Sequence, residues 1–138
     1  MNKRLSVFAA LLAADQITKY LAASNLPAAA GPPRFLSLAL RYNYGISFSL
    51  SSESPRAAMT LAAVSVVALL VVCAASRVLR SSLGVMFLWG GAVGNLIDRL
   101  IHGRVTDWLY AGVYLNAADL WLCTGFILVL HDAARPVR

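Results

Sequence analysis

Charge is what this sequence has least of. Charged residues make up 13% of its 138 positions, against roughly 25% in a soluble domain. Only six residues are acidic. Cysteine is almost as scarce. Cys73 and Cys123 both lie inside apolar runs with no CxxC between them, and both read as reduced, buried packing residues. His102 and His131 have no partner at ligand spacing, and there is no His/Cys cluster, so no metal site is expected. The net charge of +6 comes without a basic cluster: the twelve Lys and Arg are scattered singly or in pairs. That argues against a nucleic-acid partner. The positive balance reads instead as membrane topology and contact with anionic head groups. No internal repeat or low-complexity tract stands out.

What the chain has in abundance is apolar surface. It is 59% hydrophobic, with a mean hydropathy of +0.70. One domain of this length does not need so much for a core; a lipid-facing surface does. A membrane helix takes about 20 mostly apolar residues, and four stretches qualify: about 5–24, 57–76, 82–100 and 116–133. The second is the cleanest, with no charge in it. Lys3 and Arg4 before LSVFAALLAA also fit a cleaved signal peptide, but the apolar character resumes beyond Lys19, and the full length suits a membrane helix better. Four spans put both termini on one side. Lys3, Arg4, Arg77, Arg80, Arg135 and Arg138 would share it and make it the inside. Loops 25–56 and 101–115 then face out. Within the first of these, PAAAGPP (27–33) is a turn-rich connector. Residues 34–50 alternate as a strand does, and SSESP (51–55) ends that stretch and caps the second helix. The expected fold is therefore an all-α membrane protein of four transmembrane helices with a small extracytoplasmic β-sheet segment.

The acids are not spread evenly. Asp98, Asp107 and Asp119, half of them, fall within residues 90–121. A charge at the bilayer centre costs roughly 2.5–3.5 kcal/mol or more, so such residues are paired, wet or functional. Asp15 and Lys19 are four apart and share a helix face. They are either a self-neutralising pair that eases insertion or a pair that faces the bundle and orients something else. Asn95 and Asp98 share a face at the end of the third span. With Arg99 they form either an interfacial helix end, the arginine snorkelling to head groups, or part of a site. Gly90 and Gly94 make a GxxxG, by itself a packing signal. Asp107 alone is an ordinary loop acid, and Asp119 alone an acid at a helix N-terminus. Placed at one depth, with Asn95 and Asn116 beside them, the two acquire a chemistry. Neighbouring carboxylates do not both ionise cheaply, so one keeps a proton. That supplies a general base for water and a general acid for a carbonyl oxygen, with no metal and no side-chain nucleophile.

Five blocks in order now resemble one family: DQITK (15–19), YNYGISFSL (42–50), GGAVGNLIDR (90–99), GRVTDWL (103–109) and LNAADL (115–120). Any one is weak; the last three at these spacings are specific. The chain is similar over nearly its full length to the lipoprotein signal peptidases, or signal peptidase II, of bacterial inner membranes. The resemblance implies a four-helix membrane aspartyl protease that cuts diacylglyceryl-modified prolipoproteins just before the lipidated cysteine. It implies that Asp107 and Asp119 are the catalytic dyad, and that Asn43, Gly45, Asn95, Asp98, Arg99 and Asn116 bind substrate or shape the site. Asp15 and Lys19 would be structural or orienting. It further implies no cofactor, no metal, membrane lipids as surroundings and a monomer, with termini cytoplasmic and the site near the outer face. The chain departs from the family's usual pattern at three places: Ile46-Ser47-Phe48 after N-x-G, Trp108 after the first dyad acid and Leu115 before Asn116. All are apolar or small replacements that leave the dyad intact. Two other classes remain open on the residues alone. One is a small transporter or proton channel with Asp15, Asp98, Asp107 and Asp119 as a relay; no inverted repeat supports it. The other is a non-catalytic membrane scaffold, in which neither Asp107 nor Asp119 would matter.

Overall fold

The computed structural model of the chain describes residues 3–31, 33–45, 60, 63–69, 71–72 and 82–134. Helix α1 spans Lys3–Asn25, α2 Leu83–His102 and α3 Ala117–Ala133. Between α1 and α2, residues 60, 63–69 and 71–72 are also helical. They fall in the second expected span; its remaining residues, the SSESP cap and the end of the 34–50 stretch lie outside the described residues.

α1 is amphipathic in the inverse sense. Its buried positions are Asp15, Lys19 and Ala22, spaced i, i+4, i+7 on one face. Its exposed positions include Leu5, Ile17, Tyr20 and Leu21. A helix that turns its mid-span ionic pair inward and its aliphatic residues outward is built for lipid. Among the described residues, α1 is the one helix long and apolar enough to cross a membrane by that measure. α3 is shorter, at 17 residues, and α2 carries Asn95, Asp98 and Arg99 in its second half. Val64, Val67, Val71, Val72, Phe126, Ile127 and Leu130 are likewise exposed. So is Cys123, which corrects the expectation of a buried packing thiol: α3 turns it outward with its aliphatic neighbours.

Small residues let the helices close up. A Cβ on Gly84 would stand 2.7 Å from the carbonyl oxygen of Gly125, and one on Gly125 2.7 Å from that of Gly84. α2 and α3 therefore cross backbone to backbone. Gly90 receives Leu11 of α1, and a Cβ on Gly94 would lie 2.5 Å from Oδ2 of Asp15. The GxxxG is thus the seat of α1. Both ends of α2 are satisfied locally. Ser82 caps α2 by accepting from Gly84 N–H, while Gly103, at φ 67, closes it with a bond to the carbonyl of Arg99; that left-handed backbone suits glycine. Ser82 Oγ also donates to Asp132 near the end of α3, at 2.6 Å.

The sheet is larger than the sequence foretold. β1 (Ser37–Asn43) falls in the expected stretch. Residues 101–115, read as a loop, instead fold into β2 (Val105–Tyr110) and β3 (Tyr114–Leu115) around a turn at Gly112, φ 84. The order is β1-β2-β3, antiparallel throughout. The register sets Arg41 opposite Asp107 and Asn43 opposite Val105. Asp107 is accordingly a residue of the central strand, paired with Arg41 of β1 rather than carried on a loop. The physical signal was present: VTDWLY is rich in β-branched and aromatic residues, and Gly112 follows as a turn residue.

Candidate active site

Lys19 lies at the centre of the polar interior. Its ammonium donates to Oδ1 of Asn95 at 3.0 Å and pairs with Oδ2 of Asp15 at 2.9 Å and Oδ2 of Asp98 at 3.5 Å. Three protons meet three acceptors, which is the full capacity of the group. Asp15, Lys19 and Asp98 are at most 3% exposed. Breaking such a buried arrangement by removing one partner costs on the order of 3–5 kcal/mol. Gln16 adds a second bridge, its amide donating to Asp15 at 3.0 Å and to Asp98 at 3.4 Å.

Each of the two buried carboxylates then reaches for backbone. Asp15 Oδ1 accepts from the N–H of Ala118, the residue before Asp119, at 2.8 Å. Asp98 Oδ2 accepts from the N–H of Thr106, the residue before Asp107, at 2.9 Å.

Asn116 joins the two remaining acids. Its amide donates to Oδ1 of Asp107 at 2.6 Å. Its own Oδ1 accepts from Asp119 N–H at 3.1 Å, while its backbone N–H donates to Asp119 Oδ2 at 3.0 Å. This is a capping box, so the start of α3 and the placement of Asp119 are one event. Asn95 supplies the last bond, donating to Asp119 Oδ1 at 3.0 Å. Lys19 only donates, so it fixes Asn95 with its oxygen inward and its nitrogen toward Asp119.

Asn43, the last residue of β1, and Gly45, two residues further on, close the site. Asn43 Oδ1 accepts from Gly45 N–H at 3.0 Å, which leaves the amide nitrogen for Asp107, its partner. Arg99 reaches across from α2 to donate to the carbonyls of Gly45 and Asn95, at 3.2 and 3.3 Å. It is therefore a clasp between α2 and the segment just after β1, not a residue snorkelling free.

Asp107 is 2% exposed. Burial, and after it the charge of Asp119, pushes its carboxyl up to about 7; the bonds from Asn116 and Asn43 and the charge of Lys19 oppose this without cancelling it. Near neutrality Asp107 thus holds a proton while remaining able to lose it. That is the property a general acid requires.

All ten residues singled out in the sequence meet in this one site. Three contributors were not foreseen: Gln16, and the backbone N–H groups of Thr106 and Ala118. Gln16 lay inside the DQITK block but carries no charge to draw notice, and backbone donors have no sequence signal. Among the described residues, no group of three or more His, Cys, Asp or Glu is placed to hold a metal ion.

The chain is similar to known proteins over most of its length. The family model described as signal peptidase (SPase) II matches residues 7–135. A lipoprotein signal peptidase of Coxiella burnetii is 39% identical, over 88% of this chain and 84% of its own length. One from Hydrogenovibrio crunogenus is 37% identical, over 87% and 78%, and one from Rickettsia canadensis 33%, over 88% and 69%. A solved structure described as a bacterial membrane enzyme superposes with a TM-score of 0.78 at 23% identity, covering 100% of this chain and 96% of that one. The fold is that of a bacterial membrane enzyme, and the chain belongs to the signal peptidase (SPase) II family.

Proposed function

We propose that this chain is a membrane aspartyl endopeptidase that removes the signal peptide from diacylglyceryl-modified prolipoproteins, cutting before the lipidated cysteine. The observation that carries the reading is the pair Asp107 and Asp119, bound to opposite ends of Asn116. Asp119 sits at the N-terminus of α3 with an N–H donated to each of its oxygens, so both oxygens are placed as acceptors. It is the base that takes a proton from water. Asp107 is the acid. As the water oxygen attacks the peptide carbonyl carbon, Asp107 passes its proton to the carbonyl oxygen. As the tetrahedral adduct collapses, one of its two hydroxyls returns its proton to Asp107 and re-forms the carbonyl, the C–N bond breaks, and the proton held by Asp119 goes to the leaving nitrogen. The dyad returns with one proton, now free to re-equilibrate between the two acids.

The surroundings fit such a substrate. The chain is a single integral-membrane domain with spans at about 5–24, 57–76, 82–100 and 116–133, and a monomer. Both termini lie in the cytoplasm, and the three-stranded sheet lies on the outer face of the inner membrane. A lipid-anchored peptide diffuses laterally to a site at that depth, so the acyl chains deliver the scissile bond to the dyad without leaving the bilayer. Holding both reactants in one place in this way is worth several kcal/mol of the barrier.

The test is the identity of the bond cut. Purified protein in detergent is given a prolipoprotein carrying diacylglycerol on its cysteine, beside the same precursor unmodified, and the products are read by mass spectrometry. The expected result is a fragment beginning at the lipidated cysteine, from the modified precursor alone. Cleavage elsewhere, or equal cleavage of both precursors, contradicts the assignment.

A further inference from the structure

The bonds around Lys19 have a symmetry that the reaction does not require by itself. Asp15 on α1 holds the N–H immediately before Asp119, and Asp98 on α2 holds the N–H immediately before Asp107. The Lys19 ammonium sits between those two carboxylates, and its third bond sets Asn95, which bonds Asp119 directly. We propose that Lys19 is the positioning residue of the dyad: one buried ammonium, acting through Asp15, Asp98 and Asn95, sets the spacing and orientation of Asp107 and Asp119 without touching the substrate. This rests on the dyad reading above.

The physical argument is that both carboxylates need a common cation. Without Lys19, Asp15 and Asp98 would face each other as two buried anions bridged by the Gln16 amide alone. Like charges at that separation repel strongly in a low-dielectric interior. The relief available to them is to move apart or to take up a proton. Either response loosens the backbone before Asp107, the backbone before Asp119, or both. A displacement of about 1 Å in a reacting group costs about 100-fold in rate. Asn95 would also lose the bond that fixes its orientation, and so its hold on Asp119. The groups facing the ammonium from the packed elements are Asp15 on its own helix, Asn95 and Asp98 on α2, and, further off, Asp107 on β2 and Asp119 on α3. Four of the five are carboxylates, so the single charge is felt by every acid in the site.

The experiment compares wild type, Lys19→Met, Asp98→Asn and Lys19→Met/Asp98→Asn for kcat, KM and pH profile on the diacylglyceryl precursor, with thermal stability measured alongside. Asn at 98 keeps an oxygen for Thr106 and offers an amide toward Asp15, which removes the unbalanced anion. The expected result is that Lys19→Met lowers kcat about 100-fold with KM changed less than about threefold. Its alkaline limb should move up, because the Lys19 charge holds Asp107 down. The double variant should recover kcat to within about tenfold of Asp98→Asn. Wild-type activity is the control that separates this proposal from the dyad reading: a silent wild type fails that reading, not this one. With wild type active, two results overturn the positioning role. One is a Lys19→Met enzyme within about threefold of wild type. The other is a folded double variant no faster than Lys19→Met, which would place Lys19 in contact with the reaction. Where Lys19→Met is not recovered folded, the double variant against Asp98→Asn decides by the same criterion.

Discussion

Asn116 Nδ2 stands 2.6 Å from Oδ1 of Asp107, while the rest of the same residue brackets Asp119 from both sides. One asparagine therefore does three jobs. It starts α3, orients Asp119 and orients Asp107. It is 0% exposed, so none of its bonds can be replaced by water.

Asn116→Ala should separate these jobs by magnitude. Loss of an N-cap side chain costs about 1 kcal/mol, which a folded protein survives. Loss of the bond to Asp107 frees the acid, and kcat should fall about 100-fold. Asn116→Asp retains the cap but sets a third carboxylate against Asp107. It should be folded and inactive. Thermal melts and cleavage rates on the two variants check this; an Asn116→Asp enzyme with ordinary kcat would remove Asn116 from the site.

The pH profile should carry the mark of Asp107. Its carboxyl is raised to about 7, so it is protonated below that pH and ionised above. A general acid works only while it holds its proton. Rate should therefore fall on the alkaline side through an apparent value near 7, which belongs to the pair and not to Asp107 alone. Cleavage rates across pH check this. A rate that climbs steadily past that point, with no alkaline fall, excludes Asp107 as the acid.

The same group makes stability depend on pH. The ordinary value of 3.8 is raised in the fold to about 7, so between those values the folded chain binds more protons than the unfolded one. Stability contributed by Asp107 is present toward acid and is lost as pH rises through about 7. Three units correspond to about 4 kcal/mol at most. Asp107→Asn removes the buried charge and keeps the shape. It should abolish cleavage while raising the melting temperature above pH 7. A variant that loses both activity and stability would point to a structural carboxylate.

Gly94 offers a packing test. A Cβ there would press on Asp15 Oδ2 at 2.5 Å and stand 3.5 Å from Ala118 Cβ. Both neighbours belong to the Asp15–Ala118 link. Gly94→Ala should cost about 1–3 kcal/mol and reduce kcat as Asp15 shifts. Gly31→Ala, which meets nothing within 4 Å, is the control and should change neither.

Much of this was legible in the residues, for identifiable reasons. Spacings of three and four on a helix reveal shared faces, so Asp15 with Lys19 and Asn95 with Asp98 were readable as pairs. The run of acids near the C-terminal half marked the site, and the order of five blocks marked the family. The β2–β3 hairpin was not read, because its six-residue and two-residue strands sit among apolar spans and offer little alternation to count. The hub was not readable either. Lys19 meets Asn95 across 76 positions and Asp15 meets Ala118 across 103, and contacts of that separation are set by helix packing through Gly90, Gly91 and Gly94, not by local pattern. The outward turn of Cys123 is a matter of helix rotation, fixed by where Gly84 and Gly125 touch.

The most direct measurement is the rate of signal-peptide release from a diacylglyceryl prolipoprotein by wild type, Asp107→Asn and Asp119→Asn, each shown to be folded. The account predicts cleavage by wild type and none above background by either variant. Retained cleavage by either folded variant would contradict a two-aspartate mechanism.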